Sequence, residues 1–455
     1  MSIVATIENV SEELEDKILS EVLVKKITEK PKFSKFKVGS KPKEIIVRPY
    51  RMTTNCVYLP FHWALNNIPG LKRRERVEFT KLSENVKFVI ELRNVQAEVK
   101  GECLKALNKF GSHLISLYPG SGKSILAIYL ACKIGLKTLI ICHRVELLKQ
   151  WIEEIDLATG SGATCSIISP LPKDNEKKKK PKTHNLDVDF LLVNPSNVPK
   201  LGDKLFKDVG LIIIDEIHRV MAETLAQCLY YVSPRYIIGL SATLYRPDGL
   251  DGLLDFYFGV GNRTVRELYH PHIVYKIQTN IEFEEDSSTQ WGALITSQCD
   301  NQVRNDLIVE IISKFEERYF MVLCQRVNQA KYIYNKLIER GEISSLYTGQ
   351  TSGYDKKSRI IVSTLSKGGE GFSYKILDSL IIASDCISSE TEEYMIQYLS
   401  RVFRTENVSP LVFDIVDNHH TLKKHFAIRK RVYIKAGGTV KDFYKENPIF
   451  EQSRL

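Results

Sequence analysis

Hydrophobic and polar positions change rhythm near Phe88. From there on, short apolar runs alternate with amphipathic stretches. The runs Leu114–Tyr118, Lys137–Cys142, Phe190–Asn194, Gly210–Asp215 and Tyr236–Thr243 are rich in Ile, Leu and Val and bounded by Gly, Pro or charge. Such runs read as parallel strands buried on both faces. Between several of them lie helical patterns, as in Ser124–Ile134 and Arg144–Ile155. Strand–helix alternation predicts a doubly wound α/β sheet. After Tyr269 comes a polar, acid-rich stretch around Glu282–Ser288, and then the texture restarts with Tyr319–Cys324, Ile343–Gly349, Arg359–Thr364, Asp378–Ser384 and Leu411–Val416. The pattern predicts two α/β domains, 88–268 and 272–440, a basic N-terminal module over 1–87, and a tail from 441 to 455.

Composition narrows the class. Of 455 residues, 43% are hydrophobic and 26% charged, a globular balance. Lys and Arg number 64 against 55 Asp and Glu, a net charge of +9. Residues 1–90 hold 17 basic and 11 acidic groups, so +6 of that excess sits there. Eight lysines and one acid, Glu29, lie between Lys25 and Lys43, interleaved with Phe33 and Phe36. This reads either as a solvated arm or as a grip on phosphates. The lysine-rich insert Lys173–Lys182 reads first as a surface loop, with a nucleic-acid contact as the alternative. Residues 50–69 are apolar and aromatic enough to imply a small folded module. No run approaches the ~18 apolar residues of a membrane span. The start of the chain lacks a signal-peptide layout, and the nine cysteines include no CxxC. These features point to an intracellular protein with reduced thiols.

The chemistry-bearing segments follow from the strands. Leu117-Tyr-Pro-Gly-Ser-Gly-Lys-Ser124 leaves the first run and opens a helix. Gly120 and Gly122 permit a tight loop whose N–H groups, with that of Ser121, face phosphates at a helix N-terminus. Lys123 suits β- and γ-phosphates, and the Ser124 hydroxyl suits Mg²⁺. Leu211–Ile214 then delivers Asp215 and Glu216 to the end of a buried strand, where ligands meet open α/β sheets. Asp215 suits Mg²⁺ through water, and Glu216 suits activation of an attacking water. The cofactors expected are therefore ATP and Mg²⁺. Three cysteines between Lys123 and Asp215 are too few for an iron–sulfur cluster. His419, His420 and His425 read as a solvated helix surface.

Glycine–lysine loop, Asp-Glu-Ile-His218 and Ser241-Ala-Thr243, in that order, resemble the superfamily 2 helicases. Leu92–Gln96 resembles the adenine-reading motif, with Gln96 its glutamine, and Thr138–Trp151 resembles the segment that grips one strand's backbone. Thr364 with Gly369–Phe372, and Gln397–Arg404, resemble the last two motifs, although Ser400 stands where Gly is usual. The likeness covers about 88–435 and is nearest the UvsW/XPB-like branch and helicases of large DNA viruses, such as the poxvirus transcript-release helicase. It implies two RecA-like domains with ATP in the cleft. Gln397, Arg401 and Arg404 of the second would serve the nucleotide, the two arginines stabilising transition-state charge. Ser241 and Thr243 would sense the γ-phosphate. It further implies a DNA helicase or duplex translocase moving 3′ to 5′ in transcript release or repair. Its partners would be DNA and transcription machinery, in host cytoplasm or virion. An RNA helicase, an inactive nucleic-acid scaffold and a small-molecule phosphate-loop kinase are the competing readings. The second domain speaks against the kinase, and intact Lys123, Asp215, Glu216, Arg401 and Arg404 speak against the scaffold.

Overall fold

The computed structural model describes residues 2–6, 11–27, 44–170, 185–221, 225–242, 250, 252–283, 291–351, 353–369, 374–386, 391–404 and 408–450. The Lys173–Lys182 insert, most of the Lys25–Lys43 run, Thr243 and Glu370–Phe372 lie outside the described residues. Two compact units part between Arg266 and Glu267.

The first unit opens with β1 (Ser2–Thr6), helix α1 (Glu12–Glu21), β2 (Val24–Ile27), β3 (Glu44–Val47), β4 (Arg51–Met52), β5 (Cys56–Pro60) and helix α2 (Phe61–Asn67). Antiparallel β1, β5 and β4 form one small sheet, and β2 pairs with β3. Residues 50–69 thus fold as their aromatic content implied. The module is not separate, however. Phe61, Trp63 and Ala64 of α2 are buried in the same core as Leu114 and Phe258. Beyond it, Arg74 donates to the carbonyls of Lys207 and Ser233, both at 3.1 Å, and Phe79 is buried beneath the main sheet. The chain joins this domain well before residue 88 through single arginines and one phenylalanine, which leave no periodic trace.

After helix α3 (Asn94–Phe110) the strands are β6 (Ser112–Leu117), β7 (Thr138–Ile141), β8 (Cys165–Ile168), β9 (Phe190–Val193), β10 (Leu211–Ile214), β11 (Tyr236–Ser241) and β12 (Arg263–Arg266). They pair in parallel in the order β12-β6-β11-β10-β7-β9-β8. Helices α4 (Lys123–Ile134) and α5 (Val145–Thr159) follow β6 and β7. Strand side chains alternate between two cores. Ile212 and Ile214 enter the one shared with α2, while Leu211 and Ile213 meet α4 and α5 in the other. Each such buried side chain is worth about 1.5–3 kcal/mol.

The second unit repeats the plan. Strands β13 (His272–Gln278), β14 (Phe320–Cys324), β15 (Ser344–Tyr347), β16 (Ile360–Thr364), β17 (Ser379–Ile382), β18 (Leu411–Val416) and β19 (Gly438–Asp442) pair in parallel in the order β15-β16-β14-β17-β18-β13-β19. Phe320 and Val322 face one core, Met321 and Leu323 the other. The domain continues past 440, because β19 extends to Asp442 and Phe443 and Phe450 are buried in its core. The expected tail is therefore structural as far as residue 450.

An ionic network lies under this sheet. Arg429 donates to both oxygens of Asp414 at 2.8 Å and also reaches Asp385, and Tyr433 donates to Asp414 at 2.7 Å. Arg304 meets Asp417 at 2.9 Å, with both side chains fully buried. Of the three histidines only His420 is exposed as expected. His419 is buried and its side chain accepts from the Thr421 amide, capping the helix His420–Lys435, while His425 meets Asp385 at 2.7 Å. All nine cysteines are free thiols. Among the described residues no helix is long and apolar enough to cross a membrane, and no group of His, Cys, Asp and Glu could hold a metal ion by itself.

Candidate nucleotide site

The first unit gathers most of the residues singled out above at the C-terminal ends of β6, β7, β10 and β11. The loop after β6 turns on Gly120 and Gly122, with φ of 82° and 78°, in the left-handed region that side chains resist. A Cβ on Gly122 would run into the amide of Gln96. That amide donates to the carbonyls of Ser121 at 2.9 Å and Gly122 at 3.0 Å, while its oxygen accepts from the Arg93 N–H at 2.8 Å. Gln96 therefore fixes the loop from behind. Lys123 donates to the Leu117 carbonyl at 3.0 Å, bridging the loop's two ends. The Ser121 hydroxyl is buried without a hydrogen-bond partner.

Asp215 and Glu216 follow β10. Glu216 has φ 46° and ψ 53°, a left-handed conformation that costs a non-glycine residue about 1–3 kcal/mol. The turn returns the Glu216 N–H to Asp215 Oδ1 at 2.9 Å and starts the helix Ile217–Val220. Asp215 Oδ2 accepts from the Trp151 indole at 2.9 Å. Burial, and then the charge of Glu216, push the Asp215 carboxyl above its ordinary range. One oxygen of Glu216, Oε2, is buried without a hydrogen bond, with the imidazole nitrogen His218 Nδ1 3.4 Å away. His218 Nδ1 meets Ser241 Oγ at 2.8 Å, so the ring lies between Glu216 and the end of β11. His143, after β7, is held down to about 4 by burial and by Arg144 and Arg219.

This arrangement fits ATP with Mg²⁺. Two adjacent carboxylates, one carrying an orphaned oxygen, need a cation beside them. A glycine loop that cannot accept a side chain, next to an unpartnered Ser121 hydroxyl, suits phosphate oxygens. Ser124 and Asp215 would hold the metal, which when bound neutralises charge on the phosphates.

In the second unit, Gln397, Ser400 and Arg401 lie on the helix Thr391–Val402, and Arg404 follows it. Arg401 donates to the Gly369 carbonyl at 2.6 Å, joining the two last motifs. Arg404 donates to the Ser400 carbonyl at 3.2 Å, and Gln397 meets Glu393 at 3.4 Å. Ser400, in the usual glycine position, keeps helical geometry by bonding its hydroxyl to the Gln397 carbonyl at 2.7 Å.

The sequence reading missed two residues of the first unit. Trp151 was read as part of a strand-gripping segment, yet its indole holds Asp215. Glu154, one turn further along α5, stands beside Ser124, and burial raises its carboxyl. A tryptophan on the apolar stripe of Leu148, Trp151 and Ile155 was the available signal, since a buried indole N–H needs an acceptor.

Residues 89–246 match the family described as "Type III restriction enzyme, res subunit". "Putative helicase 161L" of Invertebrate iridescent virus 6 is 34% identical over 431 residues, covering 89% of this chain and 93% of that one. "Putative ATP-dependent RNA helicase L396" of Acanthamoeba polyphaga mimivirus is 23% identical over 426 residues, covering 88% of this chain and 79% of its own. S. cerevisiae Dbp5, solved with RNA and ADP BeF3, shares the fold at TM-score 0.55 and 13% identity, over 77% of this chain and 91% of that one. The two sheets are tandem RecA-like domains, and the protein they define is a nucleic-acid-dependent ATPase. More narrowly, the chain belongs to the superfamily 2 helicases of viruses.

Proposed function

We propose that this helicase tracks on DNA, moves 3′ to 5′, and serves release of nascent transcripts or repair. The track and direction are supported by the likeness of Arg304–Ile312, Val322–Ala330 and Phe413–His425 to the UvsW/XPB-like branch, and the track also by Thr364 with Gly369–Phe372. The observation that carries the ATPase side is the place of His218, hydrogen-bonded to Ser241 and 3.4 Å from Glu216 of the carboxylate pair. It joins the carboxylate pair to the motif proposed to sense the γ-phosphate, so a change at the phosphates has a path into the sheet. Ser121, Gly122 and Lys123 bind and orient the nucleotide on a loop that Gln96 holds from behind, Glu216 takes the proton of the attacking water, and Ser124 and Asp215 hold Mg²⁺. Arg401 and Arg404 are proposed to stabilise transition-state charge, an effect typically worth about 10³–10⁵ in rate. Nucleic acid is held by its backbone, without base reading.

The second reading, an RNA helicase, is favoured by the name of the mimivirus relative. ATPase titration with matched single-stranded DNA, duplex DNA and RNA decides between them. Unwinding of partial duplexes with 3′ or 5′ overhangs then tests direction. Stronger stimulation by RNA, or unwinding from 5′ overhangs alone, overturns the DNA reading and leaves the ATPase intact.

A further inference from the structure

Helix α5 presents two polar side chains to the metal-binding pair. Trp151 and Glu154 are three residues apart and so share one face of the helix. The Trp151 indole is 2% exposed and donates to Asp215 Oδ2 at 2.9 Å. The Cys142 thiol also points at Oδ2, at 3.8 Å, and the Glu216 N–H holds Oδ1 at 2.9 Å, so the indole is the short donor that fixes Oδ2. Glu154 accepts from Gln150 at 2.9 Å, one turn back along the same helix, and stands beside the Ser124 hydroxyl at the start of α4. A serine hydroxyl has one proton and two lone pairs. With the proton turned toward Glu154, the lone pairs would be left for a cation. Phosphate-loop chemistry needs neither a tryptophan nor a third carboxylate here, and even a half-buried carboxylate is costly unless it is paired or hydrogen-bonded.

We propose that Trp151 and Glu154 are positioning residues for the magnesium site, aiming Asp215 and Ser124 respectively from a single helix face. The inference rests on the reading that Ser124 and Asp215 hold Mg²⁺. Partners behind a metal's ligands typically set about ten- to a hundred-fold of its affinity. The arrangement also makes Trp151 a reporter. Its indole shares a carboxylate with the metal, so loading Mg²⁺ changes the field at the ring.

The test is a Mg²⁺ titration of the full chain at saturating non-hydrolysable ATP analogue, followed by tryptophan emission and, separately, by calorimetry. The wild type is expected to show an emission change with the same midpoint as metal binding. In Trp151→Phe the change disappears and the midpoint rises at least about ten-fold. Glu154→Ala raises the midpoint similarly while retaining the emission change, and Glu154→Gln, whose amide oxygen still accepts from Ser124, restores it. A merely structural role would move neither the emission nor the Gln rescue. Should Trp151→Phe unfold, the Ala and Gln pair at Glu154 carries the test. An unchanged midpoint in Trp151→Phe and Glu154→Ala, or flat wild-type emission while metal binds, overturns the proposal. Metal binding that persists at full affinity in Ser124→Ala with Asp215→Ala would instead remove the site reading on which it rests.

Discussion

Asp414 offers a quantitative test of the buried network in the second domain. Replacing it with Asn keeps the shape and removes the charge that both guanidinium nitrogens of Arg429 meet at 2.8 Å. Arg429 is 1% exposed and keeps only Asp385 as an ionic partner. Breaking a buried pair from one side costs about 3–5 kcal/mol, because the remaining charge stays desolvated. Asp385 partly compensates, so the lower end, about 3 kcal/mol, is expected. For a domain running over residues 267–455, each kcal/mol moves the melting temperature by about 2–4 °C, so Tm should fall by roughly 6–12 °C. Differential scanning calorimetry of the full chain should assign the shift to one of two transitions, since the first domain shares none of these contacts. Because Arg429 also neutralises Asp385, the triple variant Asp385→Asn, Asp414→Leu, Arg429→Met should recover most of the loss, as replacement of a whole buried ionic group is often close to neutral. A single-variant shift under about 2 °C, or a triple variant worse than the single, would refute the reasoning.

Other outcomes follow from the nucleotide site and its surroundings. Lys123→Ala should abolish turnover and weaken nucleotide binding, whereas Glu216→Gln should abolish turnover and still bind; normal turnover in the Gln variant would remove Glu216 as the base. Gln96→Ala removes two donors to loop carbonyls worth about 1 kcal/mol each, so ATP affinity should fall about ten-fold or more. Preference over GTP should not change, because the amide is spent on the chain itself, and competition binding measures both. Arg404→Ala should cut maximal turnover far more than ATP affinity, and a loss confined to affinity would make it a ground-state anchor. Burial pushes the Asp385 carboxyl up, but the His425 hydrogen bond and Arg429 outweigh it and hold it below the usual range. Its stabilising contribution is thus present above the unfolded value near pH 3.9 and is lost as pH falls toward the folded one. The second transition should weaken below about pH 4, and Asp385→Asn should flatten that slope.

The inner strands were legible because burial on both faces leaves uninterrupted Ile, Leu and Val, as in Leu211–Ile214 and Phe320–Cys324. Among the edge strands, Arg263–Arg266 and Gly438–Asp442 gave no such run, since each has one side toward solvent; the second of these is why the second domain was ended too early. His272–Gln278 mixes His, Tyr, Lys and Gln with its aliphatics, and its place between β18 and β19 comes from pairing rather than composition. The glycine–lysine loop and Asp215–Glu216 were legible because their chemistry is local. The hold of Gln96 on the loop, of Trp151 on Asp215 and of Glu154 on Ser124 depends on residues 25 or more positions apart meeting in space. No local spacing encodes such meetings.

Sharing one core between the N-terminal module and the first RecA-like domain has a practical side. The motif boundary near residue 88 invites trimming the protein to its motor. Such a cut would strip Phe61, Trp63 and Ala64 from the face of the sheet that holds Leu114 and Phe258. It would also remove the arginine that ties Lys207 to Ser233. What remained would be a motor with its back open, prone to stick to its own kind before it could be assayed. Any shorter version must bring a substitute wall for that face, so the front of the chain and the ATPase are inherited as one piece.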